Sequence, residues 1–404
     1  MSSSPQISLC MIVRNEVERL SRCLDSVRDL VDEMVVLDTG STDETVAIAQ
    51  SYGATVPFYA WNDDFAAARN VALEHVTGDW VLVLDADETL CEAAIPAIRQ
   101  SIANDNLLVI NLVRQEIGAD QSPYSLVSRL FRRHPAVRFD RPYHALIDDS
   151  VLALKDREPH WQITDLPMVA IAHAGYEPGT IAQQNKSARA QAALERYLAE
   201  HSEDVYAHSK LGAIYVQAGD FARGLEILKR GLKLQEQQSA PNPHLAYELH
   251  YHLGIARSRQ SLPELALSHY RVALKQSIGD RLKLGAAINL GNLLKTTGNL
   301  DAARQMYETC IGIDSDFPLA HFNLGTVLRG MGNPQQAIAH YERAIQLAPD
   351  YAEAHQNLGV AFLKLGRVRD SLKAFERAIA LHETTNPQEA QRIRQELEKL
   401  QFQV

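Results

Sequence analysis

Cysteine is scarce in this 404-residue chain: four residues, Cys10, Cys23, Cys91 and Cys310, with no two in a Cys-x-x-Cys pair. So few and so scattered, they exclude a disulfide framework and a zinc ribbon, and they fit a reducing compartment. Long apolar runs are missing as well. No stretch reaches the roughly 18 residues that a membrane-crossing helix needs. Positive charge is in deficit, with 40 Lys and Arg against 50 Asp and Glu and a net charge of −10. That balance argues against a nucleic-acid binder working by bulk electrostatics. The opening residues, MSSSPQISLCMIVRNE, have no basic stretch ahead of their short apolar run, so no secretory leader is expected. The expectation is a soluble cytoplasmic protein. With 46% hydrophobic residues the chain has material for real cores, and its length suits two or more domains.

What is present centres on Gly78–Leu90, GDWVLVLDADETL. Four apolar residues, Val81 to Leu84, run straight into Asp85-Ala86-Asp87-Glu88. Such a run reads as a strand buried on both faces, and acids just past its carboxyl end sit where open α/β sheets place ligands. Carboxylates at i and i+2 of an extended segment point the same way. As hard oxygen donors they suit Mg²⁺ or Mn²⁺ shared with phosphates. A solvated acidic turn is the plainer alternative.

Around this stretch the first ninety residues alternate strand and helix patterns. Ile7–Val13 reads as a strand and a helix follows from Arg14 to about Leu30. Met34–Leu37 is a second strand, ending at Asp38. A turn at Thr39-Gly40-Ser41 follows, and Ser41 with Glu44 forms a capping box for a helix that stops near Gly53. Thr55–Tyr59 is a third strand candidate, and a helix from Asp64 to Val76 feeds the Trp80–Leu84 strand. The order implies right-handed crossovers and a mostly parallel sheet, with Asp38 and Asp85 on one edge. Further strands are expected at Leu107–Val113, Ser128–Arg132 and Val169–His173. Starting within the second of these runs a basic stretch, Arg129, Arg132, Arg133, Arg138 and Arg141 with His134 and His144 interspersed. It reads first as a solvated face, with a diphosphate contact as the alternative. Glu88 and Glu92 read as exposed residues of a helix's first turn.

From Ile181 onward the texture is helix only. Leu290-Gly291, Leu324-Gly325 and Leu358-Gly359 recur every 34 residues. Ala303, Ala337 and Ser371 keep step with them, as do Tyr307, Tyr341 and Phe375. Leu253-Gly254 and Leu211-Gly212 extend the series backwards at spacings of 37 and 42. Small residues let two helices approach and the aromatics fill the gap to the next unit. This resembles the tetratricopeptide repeat, with about five units, and the resemblance implies a superhelix whose concave face holds an extended peptide. His250, His252 and His269 fall on repeat helices, where packing or surface roles are expected. The domains are then residues 1–180, a connecting helix over 181–204, repeats over 205–384 and a capping helix over 385–404.

Four ordered motifs in the first half carry a second resemblance: SLCMIVRNE, VVLDTGSTDET, WNDDFAAARNVAL and GDWVLVLDADE. They resemble the family 2 glycosyltransferases, over roughly residues 6–195. The resemblance implies a Rossmann-like α/β GT-A fold and inverting transfer of a sugar from a nucleotide-diphosphate sugar, with UDP the expected nucleotide. It implies that Asp38 contacts the nucleoside and that Arg69, with Asp64 at the helix start, contacts the donor. Asp85 would hold ribose and metal, and Asp87 would ligate Mn²⁺ or Mg²⁺ directly. His173, in AIAHAGY, matches a position that completes the metal or phosphate site, and Lys186 and Arg189 match a basic stretch reaching phosphate. The segment SRLFRRHPAVRFDRPYHALI matches one that ends in a His-Glu pair, but here Ala145 follows His144. The base that an inverting transfer needs is therefore sought among His144, Asp148, Asp149 and Asp140. The expected partners are a nucleotide-sugar donor and a peptide or protein acceptor on the repeats, with no nucleic acid.

Two other readings compete. A nucleotidyltransferase would share the sheet and the acids, but the place of its glycine-rich loop reads Arg14-Asn15-Glu16. A non-catalytic scaffold with a degenerate transferase domain would tolerate Ala145.

Overall fold

The computed structural model describes residues 4–119, 122–141, 145–174 and 181–400, the last stretch with its side chains from 188 onward. Seven strands form one sheet in the order β2-β1-β3-β6-β5-β7-β4. They are β1 (Ile7–Val13), β2 (Glu33–Asp38), β3 (Trp80–Val83), β4 (Glu88–Leu90), β5 (Leu107–Glu116), β6 (Tyr124–Arg132) and β7 (Gln162–His173). The half containing β2, β1 and β3 is parallel. Beyond it, β6 runs antiparallel to β3 and β5, β7 parallel to β5, and β4 antiparallel to β7. The sheet is therefore mixed, and the acidic motif runs from β3 in one parallel half to β4 at the opposite edge.

Alternation along β1 explains the layering. Ile7, Leu9 and Met11 face a core built with α1 (Leu20–Val27) and an α4 helix over Ile95–Ile102. Cys10 points the other way, into a core with α3 (Phe65–Glu74) and α5 (Asp148–Arg157). In register, Val13 lies opposite Asp38 and Cys10 opposite Val83, so Asp38 and Asp85 leave the sheet at the same edge.

Three local expectations need correction. The first helix begins at Leu20 rather than Arg14, because Asn15 takes a left-handed φ of 55°. That turn is fastened to the next loop: Asn15 N donates to Ser41 Oγ (3.0 Å) and Glu16 N to Thr45 Oγ1 (2.8 Å). Ser41 is thereby used, and no capping box forms. Asp43 instead accepts from Thr45 N (3.0 Å) at the start of α2 (Thr45–Ser51). Finally, Thr55–Tyr59 contributes two isolated bridges beside β2 rather than a strand. Pro57, in its middle, has no N–H to continue a ladder.

After β7 the chain is helical. Helix α6 (Ile181–Glu200) leads to α7 (Val205–Gln217) and α8 (Phe221–Gln237). Four further pairs follow: α9 (Pro243–Arg259) with α10 (Pro263–Leu274), α11 (Leu284–Thr296) with α12 (Leu300–Ile313), α13 (Pro318–Gly330) with α14 (Pro334–Leu347), and α15 (Ala352–Lys364) with α16 (Val368–Thr385). The last helix, α17 (Pro387–Lys399), packs Ala390, Ile393 and Leu397 against Phe375, Ala378 and Ile379 of α16. Within each of these four pairs the repeat glycine meets the aromatic ring sixteen positions on. A Cβ on Gly291 would lie 2.6 Å from the Tyr307 ring, and one on Gly254 2.5 Å from that of Tyr270. The histidines on α9 and α10 pack as expected, with His250 Nδ1 3.0 Å from His269 Nδ1. The chain divides into two compact units, Met1–Leu234 and Gln235–Val404. No helix among the described residues is long and apolar enough to cross a membrane.

Candidate active site

The apolar strand β3 ends at Val83, and the next residues turn so that Glu88 N bonds back to Asp85 O (2.9 Å). Asp85 is held from two sides. Arg69 Nη2, from α3, lies 2.7 Å from Asp85 Oδ1, and Arg129 Nη2, from β6, lies 2.8 Å from Oδ2. Burial alone would raise the pKa of this carboxyl. The Arg129 and Arg69 guanidinia outweigh it and hold Asp85 ionised, well below the usual carboxylate range. A β-bulge aims Arg129. Ile110 pairs with Leu130 and Leu112 with Val127, so Asn111 alone opposes both Ser128 and Arg129.

Glu88 is the largest departure from expectation. It is not an exposed helix residue but a fully buried one on β4, in register with His173 of β7. Its carboxylate takes Asp85 N (2.9 Å) and the Arg114 guanidinium (2.6 Å). Arg114 also bonds Glu116, 2.9 Å away, and Glu116 holds His173 Nδ1 at 2.6 Å. His173 Nε2 then faces Asp87 Oδ2 at 3.5 Å. Charges alternate along the chain Glu88–Arg114–Glu116–His173–Asp87, which is how several ions can share a buried site. Burial would lower the His173 pKa, but the Asp87 and Glu116 carboxylates outweigh it and push it up to about 9. Neither Arg114 nor Glu116 stood out in the sequence. The available signal was Arg-x-Glu at the end of a mostly apolar strand, both on one face.

The other candidates are placed as follows. Asp38 is buried and spends its carboxylate on the turn after β2, accepting from Gly40 N (3.1 Å) and Ser41 N (3.0 Å). Asp64 is the N-cap of α3 and accepts from Ala67 N (2.9 Å). Asp148 opens α5, and Ser128 Oγ lies 3.4 Å from its Oδ1. Its Oδ2 is buried with no hydrogen-bond partner among the described residues. Burial raises its pKa against the opposing pull of Arg141. Asp140 is raised too, by burial and the nearby Asp149. The methyl of Ala145 packs beside the α5 core. His144 and the Lys186 side chain lie outside the described residues, and Arg189 is exposed.

The basic stretch is not a uniformly solvated face. Arg129 is taken by Asp85, Arg132 stacks over Trp80 at 4.9 Å, and Arg141 bonds Asp149 and Asp204, each at 2.8 Å. Only Arg133 and Arg138 are exposed as expected.

As a cation site the arrangement offers one clear edge. Asp87 presents a carboxylate oxygen next to an imidazole nitrogen whose other nitrogen is fixed by Glu116, the second-shell pattern that orients metal-bound histidines. Both Asp85 oxygens are engaged by arginines, so Asp85 does not fit a direct ligand role in this arrangement. Among the described residues no group of three His, Cys, Asp or Glu side chains converges as a metal cage. The side chains that could hold a cation are thus Asp87 and His173.

The family model Glycosyl transferase family 2 matches residues 8–164, and tetratricopeptide-repeat models match residues 182–243, 284–317 and 316–384. A TPR repeat-containing protein of Synechococcus elongatus is 48% identical over 304 residues, covering 74% of both chains. The chain thus joins a family 2 glycosyltransferase domain to tetratricopeptide repeats. Within its first half it is 29% identical to the SPbeta prophage-derived glycosyltransferase SunS of Bacillus subtilis, over 46% of this chain and 44% of that protein. A glycosyltransferase of Rickettsia bellii is 32% identical over 42% of this chain and 60% of that protein. Among solved structures the tetratricopeptide protein YrrB aligns over 50% of this chain and 98% of its own, at 17% identity and a TM-score of 0.39. The glycosyltransferase domain therefore carries Asp38, Asp85 and Asp87 at the carboxyl edge of its sheet.

Proposed function

We propose that this glycosyltransferase is a metal-dependent, inverting enzyme that moves a sugar from a UDP-linked donor to a peptide or protein acceptor selected by its repeats. The observation that carries the reading is Asp87 beside His173, backed by Glu116, next to an Asp85 locked by two arginines. Mn²⁺ or Mg²⁺ on Asp87 and His173 would supply the charge that neutralises the departing diphosphate. Arg69 and Arg129 keep Asp85 in one orientation, from which its edge meets the donor's ribose. Asp38 orders the turn on which the nucleoside rests. Asp148 takes the acceptor's proton as its oxygen attacks, and its raised pKa makes it a stronger base than a solvated carboxylate. Tetratricopeptide superhelices commonly grip extended polypeptide, which supports the acceptor class.

Calorimetric titration of UDP and of GDP, each with Mn²⁺ and with EDTA, tests the site. Tight UDP binding only with metal, lost in Asp87→Ala with the fold intact, is the expected result. Equal binding in EDTA, or unchanged affinity of Asp87→Ala, overturns the metal assignment. The scaffold reading draws on Ala145 and on the arginine-occupied Asp85. Slow hydrolysis of a UDP-sugar by the wild type would rule it out.

A further inference from the structure

Arg141 is built to an unusual specification. Its backbone adopts φ 74°, a region costly for any residue with a Cβ, so the surroundings must hold it there. Immediately before it, Asp140 is pinned to Leu146 by two backbone hydrogen bonds, 2.8 and 3.1 Å long. The guanidinium is buried and serves two carboxylates. Nε and Nη2 reach Asp204 Oδ2 at 2.9 and 2.8 Å, and Nη2 also reaches Asp149 Oδ2 at 2.8 Å. Its plane sits over the Tyr206 ring, 5.3 Å from the centroid.

The two carboxylates belong to different parts of the first compact unit. Asp149 is the second residue of α5, directly after Asp148. Asp204 is the N-cap of α7, the first repeat helix, where its Oδ1 accepts from Ala207 N (2.8 Å) and its Oδ2 from Tyr197 (3.2 Å). Without the cation, the buried Asp204 and the half-exposed Asp149 would be like charges brought together, and repulsion would push the start of α5 away from α7. A planar guanidinium bridges both acids at once, as a lysine's point charge cannot.

We propose that Arg141 is a positioning residue that makes the orientation of Asp148 depend on the first repeat, so that the base-bearing helix and the repeat domain's entry helix move as one. The inference rests on the reading of Asp148 as the base. It extends that reading by giving the repeats a mechanical link to the chemistry in addition to any hold on the acceptor.

The test uses the full chain and three variants: Arg141→Ala, Arg141→Lys and Asp204→Asn. Asparagine caps a helix as well as aspartate does, so Asp204→Asn keeps α7 while removing the charge. Amide hydrogen exchange over residues 145–157 is expected to quicken roughly tenfold in Arg141→Ala and Asp204→Asn, with β1 and β3 unchanged. Hydrolysis of UDP-glucose and UDP-GlcNAc with Mn²⁺ is expected to lose roughly tenfold in kcat at unchanged KM, with part of the loss restored in Arg141→Lys. Unchanged exchange over 145–157 overturns the coupling whether or not the chain turns over a donor. Faster exchange with kcat intact overturns the positioning role. A wild type that hydrolyses neither donor defeats the transferase reading instead, and the exchange result still decides the coupling.

Discussion

Glu88 is an acid set wholly inside the protein beside the site. It is fully buried, and Arg114 is the cation that neutralises it while also serving Glu116. Breaking a buried pair by removing one partner strands the other charge, at a cost of about 3–5 kcal/mol. Arg114→Met is therefore expected to lose about that much in urea unfolding, since it takes from Glu88 its nearest cation while Glu116 keeps His173. Arg343→Ala, which breaks an ion pair with Asp316 at the surface, is expected to stay within about 0.5 kcal/mol. Asp148 gives the opposite sign. Its pKa in the folded chain is raised by burial, so its contribution to stability is present below the unfolded value and is lost as pH rises through the folded one. Asp148→Asn should thus gain in Tm relative to wild type as pH climbs from acid to neutral, while losing transfer. The same raised pKa places the ascending limb of the wild-type pH–rate profile above the usual carboxylate range. A limb at the ordinary Asp value would refute Asp148 as base.

Elements succeed here where a local rule and a long-range contact agree. The spacing of glycines and aromatics in the repeats was legible because each unit solves the same packing problem: a helix without a side chain at one point admits a ring from its partner. Gly291→Ala drives a methyl into the Tyr307 ring, itself held by a 2.7 Å hydrogen bond to Asn292, and is expected to cost about 1–3 kcal/mol. Gly312→Ala, on the exposed side of α12 with open space around it, should instead stabilise by up to about 1 kcal/mol. Thermal melts of the two variants decide the sign at each site. Elsewhere local rules lost. The start of α1 was misplaced because Asn15 bonds the loop of residues 41–42, and no window around Arg14 contains that loop. The β6 bulge is equally invisible in sequence, since it exists only relative to β5.

At the scale of the whole molecule, the first compact unit runs through Leu234 and so takes in helix α7 and most of α8 along with the sheet. Leu194 of α6 forms one small core with Ala207, Leu211 and Tyr215 of α7. A chain cut after residue 204 would lose that core and leave Asp204 with no helix to cap. A chain ending at Leu234 keeps both. The expected outcome is that the 1–234 fragment unfolds cooperatively and binds UDP with Mn²⁺, whereas the 1–204 fragment shows fast hydrogen exchange over residues 145–157. Equal protection in the two fragments would show that the first repeat contributes nothing to the order of α5.

By itself the sequence determined the two architectures, the carboxyl-edge placement of Asp38, Asp85 and Asp87, and the repeat frame. Each of these follows from patterns read along the chain: strand–helix alternation, turn chemistry and the 34-residue recurrence. Only the tertiary structure decided the charge states and partners in the site. Glu88 read as an exposed residue of a helix's first turn, and it is buried because Arg114 and His173 arrive on strands formed later in the chain. The basic stretch looked uniform and was divided among acids and rings from separate elements. Burial of a charge depends on what is brought to face it, and that pairing is a property of the folded sheet.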